Sequence, residues 1–263
     1  MLLISGLDLS IVGIFDYRAT AAYAVAATLA NVMAQTQGAI FAAFLPAAAV
    51  LSARGDGEKL GVMLLSSTRY GCATLLLMGL PLLVGGHLML RVWIGSEFAA
   101  QGTAILQALV VANMIRLIAL PYSTLLLGTG QQHKVILSPV AEGVTNLSAS
   151  VVGAYYFGAI GVAIGTLIGS VVSIAFHFLY NMPRTSAIAI DRPLLVREGF
   201  LRPFSCTIPL LLVSLVHLAV PQLSALVLAP LAAVGLLGSL CLLWAYGLFR
   251  AERTRLQNVL RIA

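Results

Sequence analysis

The sequence predicts an all-α, polytopic membrane protein with about eight transmembrane helices. Two uncharged stretches and the composition carry that prediction. From Gly143 to Pro183, 41 residues pass without an Asp, Glu, Lys or Arg, and from Pro203 to Phe249 another 47 do. One bilayer crossing uses roughly 20 apolar residues at ~1.5 Å each, so each stretch suits two helices. The chain is 60% hydrophobic and only 9% charged, where soluble domains carry about 25% charged residues.

Taken in order, the expected spans are 1–15, 21–51, 68–90, 103–127, 135–157, 160–181, 201–220 and 225–249. The first is short. The second contains Pro46, which should kink it or end it nearby. The fourth contains Pro121 and, about halfway along, Arg116. The fifth carries Pro139 and Glu142, with Asp8 expected at a similar depth in the first. The sixth carries Gly161, Gly165 and Gly169, two overlapping GxxxG steps that let a neighbouring helix approach closely. Turns are marked by Gly55-Asp56-Gly57, Gly95-Ser96, Gly128-Thr129-Gly130, Gly158 and Pro221-Gln222. The organisation is a six-helix bundle at 1–181, an interfacial linker at 182–199, two further spans at 200–249 and a basic tail at 250–263.

Lysine and arginine set the orientation. With the N-terminus in the cytoplasm, Arg54, Lys59, Arg69, Lys134, Arg184, Arg192, Arg197, Arg202 and the four tail arginines (250, 253, 255 and 261) fall inside. Only Arg18 and Arg91 fall outside. Positive charge favours the cytoplasmic side, so both termini are expected there. The same placement assigns the net charge of +6 to anionic lipid headgroups, not to nucleic acid. There is no charged n-region ahead of an apolar core, so no signal peptide is expected.

Several residues are out of place in lipid. A central Arg116 costs ~2.5–3.5 kcal/mol on insertion scales and should face a cavity or a partner. Asn113 and Ser123 share its face. It reads either as an anchor for an anionic group or as one half of a packing ion pair. Asp8 and Glu142 are the acids available to pair with it, or to carry a coupling proton or sodium ion. Asn146 and Ser150 extend a polar stripe from Glu142. In the second span Thr28, Asn31, Gln35 and Gly38 recur at helical spacing, which fits interhelical hydrogen bonding or a wet cavity. Cys72, Cys206 and Cys241 lie in apolar segments without ligand spacing, and His87, His177 and His217 stand singly, so neither a metal nor a cofactor is expected. No Walker A loop, GxSxG elbow or HExxH is present, so no enzyme activity is expected.

The order of Asp8, Tyr23-Ala24-Val25-Ala26, Pro46, Trp93-Ile94-Gly95 with Phe98, the Gly128/Gly130 turn before Lys134, and Gly158 with Gly161 resembles the polysaccharide flippases. These are the O-antigen and teichoic acid exporters of the multidrug/oligosaccharidyl-lipid/polysaccharide exporter superfamily. The resemblance covers residues 1–181 and implies the second of two six-helix bundles, followed here by two extra helices. It implies a bacterial cytoplasmic-membrane transporter of undecaprenyl-diphosphate-linked glycans. Arg116, Asn113, Asn31, Gln35 and Asn146 would then face the substrate, with Asp8 and Glu142 in coupling or charge pairing. The expected partners are membrane lipids and either a missing N-terminal half or a second copy. A multidrug cation antiporter of the same fold and a non-transporting assembly subunit are the alternatives.

Overall fold

A computed structural model describes residues 2–220 and 225–247. The expected turn at Pro221-Gln222 and the basic tail with its four arginines lie outside the described residues. Those described form helices and short turns, with no strand among them. Six helices are long and apolar enough to cross a bilayer. The count is seven if the pair Arg192–Cys206 and Ile208–His217, bent by 57°, is one span. The chain is a multi-pass helical membrane protein.

The count falls short of eight at the N-terminus. There α1 (Leu2–Phe15) has 14 residues, ~21 Å, against a hydrocarbon core of ~30 Å. The second expected span runs Tyr17–Ala53 and is interrupted only at Ala43, between α2 (Thr20–Ala42) and α3 (Phe44–Ala53). Pro46 causes the break from inside the first turn of α3. Its ring would clash with the carbonyl of Ala42, the last residue of α2. The third span starts eleven residues early, because α4 runs Gly57–Ile94. Asp56 begins it by accepting from the Lys59 amide at 3.1 Å, and its 38 residues overhang the core.

The fourth span is also two helices, α5 (Ser96–Leu117) and α6 (Leu120–Gly128), with Pro121 in the first turn of α6. The remaining elements are α7 (Leu137–Phe157), α8 (Ala159–Phe176), α9 (Arg192–Cys206), α10 (Ile208–Ala219) and α11 (Ala225–Leu242). Helix α9 begins within the segment expected to be a linker.

Helix α5 is central, touching α2, α4 and α8. The closest pair is α7 on α8. Gly158 turns the chain between them at φ +62°, and the Ala159 amide is held by Asp16 at 3.2 Å. A Cβ at Gly161 would come within 1.9 Å of the Gly153 carbonyl oxygen, and one at Gly165 within 2.4 Å of Ser150 Oγ. The glycine face expected to admit a neighbour therefore does so, and it presses the polar stripe of α7 against α8. Exposed Tyr17, Trp93, Tyr155, Tyr156 and Phe157 cluster at the turns at one end of these helices, as an interfacial aromatic belt does.

Candidate functional site

Four helices bring polar side chains together. The antiparallel α7–α8 contact places Asn146 opposite Gly169 and Ser150 opposite Gly165. Helix α1 runs beside both and inserts Asp8, which is 4% exposed. Thr166 Oγ1 donates to Asp8 Oδ2 at 2.9 Å. Asn146 and Tyr23 are the other polar neighbours of Asp8. Ser150 donates to Asn146 Oδ1 at 2.7 Å. A buried acid thus sits among neutral polar groups, with one direct hydrogen bond, from Thr166.

One turn along α7 lies the second group. Arg116 Nη1 stands 3.6 Å from Glu142 Oε1, and the two side chains are 13% and 8% exposed. Arg116 Nη2 donates to Asn113 Oδ1. Asn113 in turn donates to the Ala30 carbonyl at 2.9 Å, which fixes it against α2. The guanidinium is incompletely used: Arg116 Nε is buried and finds no protein partner. A cavity of about 270 Å³ opens beside it, lined by Arg116, Ser123, Pro139, Glu142, Ser173 and His177.

The break at Ile118–Ala119 moves Arg116 from the expected middle of a long span to the last turn of α5. The free carbonyls of a helix C-terminus favour a cation there. The pair lies ~30 Å along α5 from Ser96 and ~21 Å along α7 from Tyr156. It is therefore in the membrane half away from the aromatic belt. Asp8 is nearer that belt, ~10 Å along α1 from Phe15, so the two acids are not at the depth they were expected to share.

The sequence-predicted residues divide into three places. Arg116 and Glu142 meet at the cavity, and Asn113 holds the guanidinium from behind it. Asp8 and Asn146 meet one layer away. Asn31 and Gln35 join neither: Gln35 is exposed and Asn31 half-buried on the opposite face of α2. The amide that α2 does bury is Gln37, which donates to the Gly71 carbonyl at 3.1 Å and to Thr74 Oγ1.

Comparison of the chain with models of known families, with curated proteins and with solved structures returns no match. Chemistry alone must assign the site. Among the described residues, no group of three or more His, Cys, Asp or Glu side chains converges to hold a metal ion.

Two residues of these polar layers carry no signal of their role in the sequence. Thr166 was hidden by its setting, a hydroxyl among glycines on an otherwise apolar helix. His177 was set aside as solitary, yet it lines the Arg116 cavity and stands 3.3 Å from Asn181 Nδ2. Outside both layers, Arg69 is expected on the inner side from charge bias, and what the bias does not tell is that it is 2% exposed, twelve residues into α4.

Proposed function

We propose that this chain is a flippase-like transporter that moves a lipid-linked oligosaccharide across the cytoplasmic membrane. In this reading Arg116 engages the diphosphate that joins sugar to lipid. The observation that carries it is a guanidinium inside the membrane, beside a cavity, with Nε lacking a protein partner. A guanidinium presents a planar fork that matches two phosphate oxygens, and away from water such charge-assisted bonds gain strength. Glu142 holds the cation at 3.6 Å, longer than a hydrogen bond, so a phosphate can take the fork without first breaking a tight pair.

Asn113 orients the guanidinium from below, tied to the α2 backbone. Ser123 and Ser173 supply neutral donors on the cavity wall. With both termini in the cytoplasm, the cavity half is the cytoplasmic half, where a substrate from the inner leaflet would load. Asp8 sits one layer further along the path and is the group proposed to couple an ion to the movement.

The test is lipid flipping in vesicles that hold the purified protein and a fluorescent polyprenyl-diphosphate saccharide. Arg116→Ala should abolish protein-dependent flipping while the protein still inserts. Arg116→Lys should retain part of it, because an ammonium keeps the charge and loses the two-point fork. Normal flipping by Arg116→Ala protein present at wild-type amount overturns the reading.

A further inference from the structure

Glu142 is a buried carboxylate that accepts no hydrogen bond from any described residue. It is 6% exposed, and its one polar contact among those residues is Arg116 Nη1 at 3.6 Å, beyond hydrogen-bonding distance. The other acids held within the fold are better served. Asp8 takes the Thr166 hydroxyl at 2.9 Å, Asp16 the Ala159 amide at 3.2 Å, and Glu198 a guanidinium nitrogen of Arg202 at 2.7 Å. An ionised carboxylate has room for about four donors, and buried ones are normally hydrogen-bonded. Glu142 lines the cavity with that capacity unused.

Arg116, on the same wall, is short of partners too, since its Nε has none. The cavity therefore presents both signs of charge side by side, and neither is fully bonded. An anion that binds Arg116 alone leaves Glu142 worse off. It takes up the positive charge that faced the carboxylate, and it brings a like charge alongside, where little water screens the two. A neutral hydroxyl on the ligand would fill a hydrogen bond to Glu142 and leave that charge unanswered. An ammonium next to the anion answers both.

We infer, on the reading that Arg116 engages the diphosphate, that the ligand is zwitterionic where it meets this cavity: Glu142 binds an ammonium on the sugar that the diphosphate carries. The substrate class narrows to glycans whose first residue is an amino sugar with a free amino group. In a 2-amino sugar the nitrogen is on the carbon beside the one that bears the phosphate. The two charges of the ligand are then a few ångströms apart, as Arg116 and Glu142 are. At about 270 Å³ the cavity is just under the ~300 Å³ at which small-molecule pockets begin. It has room to read the groups at the diphosphate and not the length of the glycan.

Two fluorescent polyprenyl diphosphates test it, one carrying glucose and one carrying 2-amino-2-deoxyglucose. Each is titrated into the full chain in phosphatidylglycerol nanodiscs, whose lipid brings no ammonium group. The wild-type protein should bind the amino ligand about 10-fold or more tightly, the worth of one hydrogen bond between charged groups. Glu142→Gln should bring the ratio of the two affinities to about one, and Glu142→Asp, which keeps a carboxylate, should retain part of it. Arg116→Ala should weaken both ligands. Equal wild-type affinities, with both weakened by Arg116→Ala, overturn the zwitterion and leave the diphosphate reading standing. Wild-type protein that binds neither ligand overturns both. A preference that survives Glu142→Gln places the discrimination elsewhere and overturns the role of Glu142. Equal binding of the amino ligand and its N-acetyl form shows that charge is not read, and overturns it too. Displacement of the amino ligand by ethanolamine-headgroup lipid makes the zwitterion a bulk membrane lipid and overturns the assignment to a sugar.

Discussion

Removing both members of the Arg116–Glu142 pair should cost well below the sum of removing each alone. The charges are 3.6 Å apart and nearly buried. At an effective dielectric of ~20 their gross attraction is about 4–5 kcal/mol. Desolvation of both offsets much of that, so the intact pair adds little net stability. Arg116→Ala leaves a carboxylate at 8% side-chain exposure without its countercharge, and Glu142→Ala leaves the guanidinium with Asn113 alone. Each single change should cost about 3–5 kcal/mol. Arg116→Ala/Glu142→Ala strands neither charge and should cost less than the two singles summed by about 2–4 kcal/mol. Unfolding of the purified protein in mixed micelles by added SDS, run on all four proteins, gives the coupling. Costs that add to within ~0.5 kcal/mol would show that the two groups do not interact and would refute the pairing.

Two further outcomes follow from the packing. Gly161→Ala should destabilise by ~1–3 kcal/mol or more in the same SDS assay, because α7 and α8 must separate to clear a 1.9 Å overlap. Gly143→Ala is its control: nothing lies within 4 Å, so it should be neutral or stabilising by up to ~1 kcal/mol, and equal losses at both sites would contradict the close approach. Thr166→Val removes the hydroxyl that donates to Asp8 and should cost ~1–3 kcal/mol, most of it recovered when the acceptor is removed as well by Asp8→Leu. No recovery in the double variant would mean that the two side chains are independent.

The membrane class, the approximate spans and the close-packing glycine face of α8 were legible because they rest on length, apolarity and glycine spacing, which are properties of single segments. Arg116 and Glu142 were legible for the same reason, since a charge in an apolar run stands out without knowledge of its neighbours. What the sequence withheld depends on where helices break and which way they face. Pro46 and Pro121 were visible, yet each sits in the first turn after its break, so the breaks came earlier than the prolines themselves. The shift at Pro121 took Arg116 out of mid-span. The direction of Asn31 and Gln35 was open, because helical spacing shows that residues share a face and not what that face meets. Gln37, two residues on, faces inward, and only the position of α4 distinguishes it. Arg69 shows the limit of charge bias: the rule places a loop, and cannot say that one of its arginines turns into the core.

The central claim is that Arg116 holds a diphosphate, and binding to the neutralised pair tests it most directly. Arg116→Ala/Glu142→Ala lacks the guanidinium without leaving a stranded charge, and its folded fraction, read from the SDS unfolding above, separates loss of binding from loss of fold. Titration of a fluorescent polyprenyl diphosphate into wild-type and doubly substituted protein in nanodiscs gives the two affinities. A charge-assisted contact is worth about 1.5–3 kcal/mol, so the double variant should bind about 10- to 150-fold more weakly. Equal affinities in the two proteins would contradict the account.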